Sequence, residues 1–136
     1  MLEFTIELQP ITKKNHQTIK YNPLKKKPYI GNSPQYMQYA KAAGAFIAPV
    51  PDKPIKTAVN VQCTFYMKDK KRTDLVNLLQ AVDDILVKYH VLADDNYTIV
   101  ARHDGSQCRL DRKHPRTEIV ITELPTTATE NGGEKA

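Results

Sequence analysis

Asp74, Asn77, Asp84 and the doublet Asp94-Asp95 are the residues of this 136-residue chain whose types and spacing best support chemistry. At 100° per residue, a helix from Thr73 to His90 places Asp74, Asn77, Ala81, Asp84 and Lys88 on one polar stripe, so two carboxylates and an amide line one edge. Asp94-Asp95-Asn96 follows at the start of an expected strand, where alternation turns one aspartate toward the helix and the other away. If that strand packs on the helix, three or four oxygen-bearing side chains converge. Like charges a few ångströms apart repel and raise one another's pKa, and a divalent cation removes that cost. Mg²⁺ takes oxygen ligands, keeps several waters, and is typically held by one or two carboxylates plus phosphate oxygens. In phosphodiester hydrolysis it polarises the phosphoryl group, acidifies an attacking water and stabilises the leaving 3′ oxygen. Each acid also has a plainer explanation: Asp74 suits the helix dipole, Asp84 suits a pair with Lys88, and Asp94-Asp95-Asn96 suits a turn. No His/Cys ligand spacing and no Gly-x-Ser-x-Gly element competes with the acidic site.

The charge beside these acids favours the cation reading over the plainer ones. Lys68, Lys70, Lys71 and Arg72 run directly into Asp74, and Lys13, Lys14, Lys20, Lys25, Lys26 and Lys27 crowd the first third of a chain of formal charge +5. That distribution fits a polyanionic partner. His16, His90, His103 and His114 are scattered and are expected at the surface. Cys63 and Cys108 lie far apart, which predicts reduced thiols and no zinc quartet.

The elements that must position these residues are legible from periodicity. Leu2, Phe4, Ile6 and Leu8 alternate as a half-buried strand ended by Pro10, and Val59, Val61, Cys63, Phe65 and Met67 alternate as a second. Gln9 to Ser33 lacks helical period and reads as a long irregular or hairpin-like excursion. Ser33-Pro34 starts a helix whose Tyr36, Tyr39, Ala40, Ala43, Phe46 and Ile47 recur at helical spacing and which should stop near Pro49. Thr73 is the expected cap of the next helix, whose Leu75, Leu78, Leu79, Val82, Ile85, Leu86 and Tyr89 form one apolar arc. Tyr97 to Ala101 and Glu118 to Leu124 read as two more strands. The expectation is an α+β fold, a small mixed sheet of about four strands packed with two main helices. It forms one domain over residues 1–124, followed by a disordered tail over 125–136. No stretch is long and apolar enough to cross a bilayer, and the N-terminus lacks a signal-peptide layout, so no membrane association and a cytoplasmic location are expected.

The run from Arg72 to Leu86, containing Asp74-Leu75-Val76-Asn77-Leu78 and Asp84, followed by Val91-Leu92-Ala93-Asp94-Asp95, resembles the signature of the RusA family of Holliday junction resolvases. Pro10 with Lys14-Asn15, and Ser33 with its following tyrosines, resemble the family's earlier landmarks, so the likeness spans residues 1 to about 124. It implies a homodimer that cleaves four-way DNA junctions by symmetric nicks with Mg²⁺, or Mn²⁺ in its place, commonly in phage or prophage settings. It gives Asp74 and Asp95 the essential metal-ligand roles, with Asp94 and Asp84 as supporting acids. Two positions depart from the pattern. Val76 stands where the family carries another aspartate and Gln80 where it carries a lysine. Asn77 or Asp84 is then expected to complete the metal shell, and Lys88 or Arg72 to supply the missing positive charge. Lys13, Lys14, Lys68, Lys70, Lys71, Arg72 and Lys88 are the expected DNA-binding residues, the first-third lysines as arms that shape the junction or join the dimer. The alternatives are a branched-DNA binder that has lost its chemistry, and an RNA-processing nuclease or protein-interaction module.

Overall fold

The computed structural model describes residues 1–13, 17–32 and 34–125. In chain order the elements are β1 (Leu2–Ile6), β2 (Gln17–Asn22), β3 (Lys27–Asn32), α1 (Pro34–Ala43), a 3-10 turn (Gly44–Phe46), β4 (Val59–Met67), α2 (Leu75–Lys88), β5 (Val100–Arg102), β6 (Gln107–Leu110) and β7 (Arg116–Glu123). The fold is α+β, as its periodicities predict. β4 is the axis of a five-stranded mixed sheet: β7 lies antiparallel on one side of it and carries β1 beyond, and the short β5 and β6 both lie parallel along its other side. A chain that leaves β4 and returns parallel to it needs a crossover, and α2 supplies it.

Alternation on β4 buries Val59, Val61, Cys63 and Phe65 and leaves Asn60, Gln62, Thr64 and Tyr66 half-covered. The buried row meets Ile119 and Ile121 of β7, Phe4 and Ile6 of β1, and Leu78, Val82, Ile85 and Leu86 of α2 in one core. Each such side chain contributes about 1.5–3 kcal/mol on full burial. Cys63 is a free thiol inside this core, and Cys108 is free and exposed. Gly44 lets the ends of the two helices meet: a Cβ there would lie 2.6 Å from the Tyr89 ring, whose hydroxyl donates to the Ala40 carbonyl at 2.7 Å.

Several elements differ from the sequence reading, each for a local reason. Of the irregular or hairpin-like excursion after Gln9, residues 17–32 take the hairpin form, β2 with β3, and among the described residues this ribbon pairs with no strand of the main sheet. α1 ends at Ala43 in a 3-10 turn and does not run on to Pro49. α2 begins one residue later than expected because Asp74, not Thr73, is the cap; the Thr73 hydroxyl donates instead to the Lys71 carbonyl at 3.5 Å. The strand expected from Tyr97 begins only at Val100, since Ile99 and Val100 both donate to the Asn96 carbonyl in a helical turn. β6 is too short for the alternation of Cys108 and Leu110 with Gln107 and Arg109 to announce it, and all four of its residues are exposed. Ser33 and residues 126–136, including all but the first residue of the expected tail, lie outside the described residues.

Candidate functional site

Asp74 sits at the N-cap of α2 in an extended conformation, with its carbonyl taking the amides of Asn77 at 3.1 Å and Leu78 at 3.2 Å. Its carboxylate makes none of the capping bonds such a residue ordinarily makes. Among the described residues the carboxylate takes only a long contact, from the amide of the buried Asn77 at 3.4 Å. The acid is therefore presented outward at the positive end of the helix dipole. It lines a cleft of about 540 Å³ with Lys68, Lys71, Arg72, Gln9 and Gln35. The basic run thus wraps the opening in front of Asp74.

Asp84 lies ten residues further along α2, about 15 Å of axial rise, so the stripe that aligns it with Asp74 also separates the two. It does not pair with Lys88. Lys13 Nζ reaches its Oδ2 at 2.9 Å, both side chains being about one-third exposed. Lys88 is exposed, lines the same groove between α1 and α2, and lies 5.9 Å from the Tyr89 ring centre. Arg72 therefore stands at the Asp74 end of the helix and Lys88 at the Asp84 end, and neither occupies the place of Gln80.

Asp94-Asp95-Asn96 is a loop and not the start of a strand. The Asp94 carboxylate accepts the Asp95 amide at 2.7 Å and the Asn96 side-chain amide at 3.0 Å, and these bonds hold its pKa below the ordinary carboxylate range. Asp95 is raised, first by desolvation, then by the neighbouring Asp94 and the charge of Asp84. Asp95 thus feels the charge of Asp84, and it is not among the residues that line the Asp74 cleft. The expected single cluster resolves into two acidic loci, and among the described residues no three His, Cys, Asp or Glu side chains converge as a metal cage. Lys14 lies outside the described residues; Lys68, Lys70, Lys71 and Arg72 are all exposed.

Sequence reasoning passed over Asp83 and His103. Asp83 is 8% exposed, on the opposite border of the apolar arc from Asp84. His103 Nε2 lies 2.9 Å from Asp83 Oδ2, and its Nδ1 lies 2.8 Å from the Val61 carbonyl oxygen. The second Asp83 oxygen is buried and has no hydrogen-bond partner among the described residues. Burial raises Asp83 against the pull of His103, with Asp95 and Asp84 adding to the rise. His103 is raised by its bond to Asp83. Both its ring nitrogens face acceptors, an arrangement that only the imidazolium satisfies fully. His103 is therefore no free surface histidine. Its loop is pinned to β4: Asp104 exchanges backbone bonds with the Asn60 side chain, Ser106 Oγ accepts the Cys63 amide, and Gly105 turns the chain at φ +83°. The helical arithmetic gave no signal for this, since Asp83 stands about 20° from the exposed Val76 and is covered by His103 and not by the helix's own apolar face. That partner is a loop residue 20 positions away. Of the other histidines, His114 pairs with Glu7 at 2.8 Å, His90 is exposed, and His16 lies outside the described residues.

Compared with known protein families, residues 7–122 match the sequence model described as endodeoxyribonuclease RusA. No curated protein matches the chain. No described helix is long and apolar enough to cross a membrane.

Proposed function

The chain belongs to the RusA endodeoxyribonuclease family, matched over residues 7–122, and from that premise we propose that it nicks four-way DNA junctions as a metal-dependent homodimer. The observation that carries this reading is the uncommitted Asp74 carboxylate at the mouth of a cleft lined by Lys68, Lys71 and Arg72. Those cations draw a phosphate toward the acid, and the grip weakens as salt rises because phosphate binding releases counterions.

The donor set fits a hard cation: all-oxygen ligands, with the Asn77 amide beside Asp74, and Asp95 raised by desolvation and then by Asp94 and Asp84. Asp74 and Asp95 would be the principal ligands, with Asn77 and Asp84 completing the shell and Asp94 ordering the loop of Asp95. Mg²⁺ bound there would supply Lewis-acid polarisation of the phosphoryl group and an acidified water. Within one chain Asp74 and the Asp84–Asp95 locus stand at different ends of α2. A metal held by both would draw its ligands from two copies, and the homodimer supplies the second copy. Two-fold symmetry then gives one site to each of two opposed strands. The ribbon of β2 and β3, with Lys25, Lys26 and Lys27 exposed at its turn, would serve as the arm that shapes the junction.

The test is a labelled synthetic four-way junction with and without Mg²⁺, against linear duplex. Nicking that requires the metal, favours the junction, and vanishes in Asp74→Asn while binding persists is the expected result. A second reading, a junction binder without chemistry, is favoured by Val76, which is 73% exposed and offers no metal ligand where the family carries an aspartate. Binding without nicking in either Mg²⁺ or Mn²⁺ would establish it.

A further inference from the structure

We infer that β6 and the turn after it form a second phosphate-binding surface that holds a duplex arm of the branched DNA beside the Asp74 cleft. This rests on the proposed junction binding and adds residues that the motif does not contain. Arg109, Arg112 and Lys113 lie some forty residues beyond the basic run before Asp74, and the strand register brings them to it. β6 pairs with the far end of β4, Arg109 opposite Tyr66 and Leu110 opposite Met67, and the Asp111 amide donates to the Met67 carbonyl at 2.8 Å. Met67 is the residue from which the loop of Lys68 to Thr73 departs. Arg109 accordingly lines one concavity, of about 220 Å³, with Lys70 and Lys71.

The acids and bases of this patch sort into committed and free groups. Arg116 is committed: it stacks 3.7 Å over the Tyr66 ring and bonds Asp111 and Glu118, each at 3.0 Å. Asp111 is thereby neutralised from within, and Asp69 accepts the Lys71 backbone amide at 3.0 Å. The side chains of Arg109, Arg112 and Lys113 are exposed and make no hydrogen bond or ion pair with any described residue. A solvated face usually mixes its signs. Here Asp111, the acid between these bases, is paired with Arg116, and Asp69 is turned onto the Lys71 backbone amide, which leaves bases in clear excess along a surface continuous with the loop before Asp74. Such a surface matches a phosphate backbone in charge and needs no base contact.

The inference is tested with the full chain carrying Arg109→Ala, Arg112→Ala and Lys113→Ala together. All three side chains are exposed, and an unchanged melting temperature would confirm an intact fold. Junction affinity should fall roughly 10- to 100-fold, and the slope of log affinity against log salt should become less steep by about 2–3, near one per lost phosphate contact. Nicking at saturating protein should stay at the wild-type rate. Arg102→Ala, at the opposite end of β4, should change neither affinity nor slope. Methylphosphonate substitution along one arm should weaken wild type and leave the triple variant unaffected. Wild-type junction binding with an unaltered affinity and salt slope in the triple variant would overturn the surface and spare the proposed function. Absence of junction binding by wild type would instead remove the function on which the surface rests.

Discussion

The two ends of α2 carry acids in opposite states. At the N-terminal end Asp74 has a dipole behind it, lysines and an arginine in front, and among the described residues no strong bond of its own. Toward the C-terminal end three of the four acids are already engaged, Asp84 by Lys13, Asp83 by His103 and Asp94 by the backbone of its own loop, and the fourth, Asp95, lies beside them with its pKa raised. An acid left without a partner beside concentrated positive charge is arranged for something that arrives. Acids compensated from within hold the structure, or become ligands only after giving up a partner.

The largest expected effect lies at the open end. Asp74→Asn should lower nicking by roughly 10³-fold, the several kcal/mol that a metal function represents, with junction affinity unchanged within a factor of about three. A sharper form mixes two inactive proteins, Asp74→Asn and Asp95→Asn. If one metal draws ligands from both copies, half of the sites in each mixed dimer keep both acids, and single-strand nicking returns. Complete inactivity of mixed dimers, shown to form by mass, would mean that each subunit carries its whole site.

At the closed end the largest response should be in stability. His103→Ala strands the carboxyl of Asp83 in a buried setting and should cost about 3 kcal/mol, read as a lower denaturant midpoint with unchanged m-value. His103→Gln, which can still donate one hydrogen bond, should recover part of it. Asp83 and His103 are both raised, so both hold protons more tightly folded than unfolded. Their contribution to stability is accordingly present at low pH. It is lost as pH rises, first past the ordinary carboxylate range for Asp83 and then from about 6.5 upward through the raised value of His103. Thermal melts of wild type should decline over that window and those of His103→Gln should be flatter; parallel curves would count against the pair.

The elements that position the open end were legible because each is written locally. The alternation of Val59 to Met67 matches the span of β4, and α2 buries Leu78, Val82, Ile85 and Leu86 of the expected arc together with Asn77, Ala81 and Asp83 outside it. The closed end was not legible, because its contacts join residues that are distant in sequence and ordinary in type. Lys13 to Asp84 spans 71 positions, and nothing in a stripe calculation distinguishes it from the i+4 partner Lys88. The loop at Asp94 looked like a strand start because side-chain bonds to backbone, which decide between turn and strand there, leave no period. Helical spacing shows which side chains share a face and also how far apart they are; the 100° arithmetic aligned Asp74 with Asp84, and the rise per residue divided them.

The smallest effect tests whether the closed end can open. Lys13→Ala removes an ion pair about one-third exposed, so in the absence of divalent metal it should cost less than about 1 kcal/mol. The variant leaves Asp84 beside Asp95 without a counter-charge, and a divalent cation can take the ammonium's place. Added Mg²⁺ should therefore raise the melting temperature of Lys13→Ala more than that of wild type, since a ligand that binds only the folded state stabilises it by mass action. Asp84→Asn in the same background should erase the difference. Equal Mg²⁺ responses of Lys13→Ala and wild type would leave Asp84 a structural acid, with Lys13 as its permanent partner.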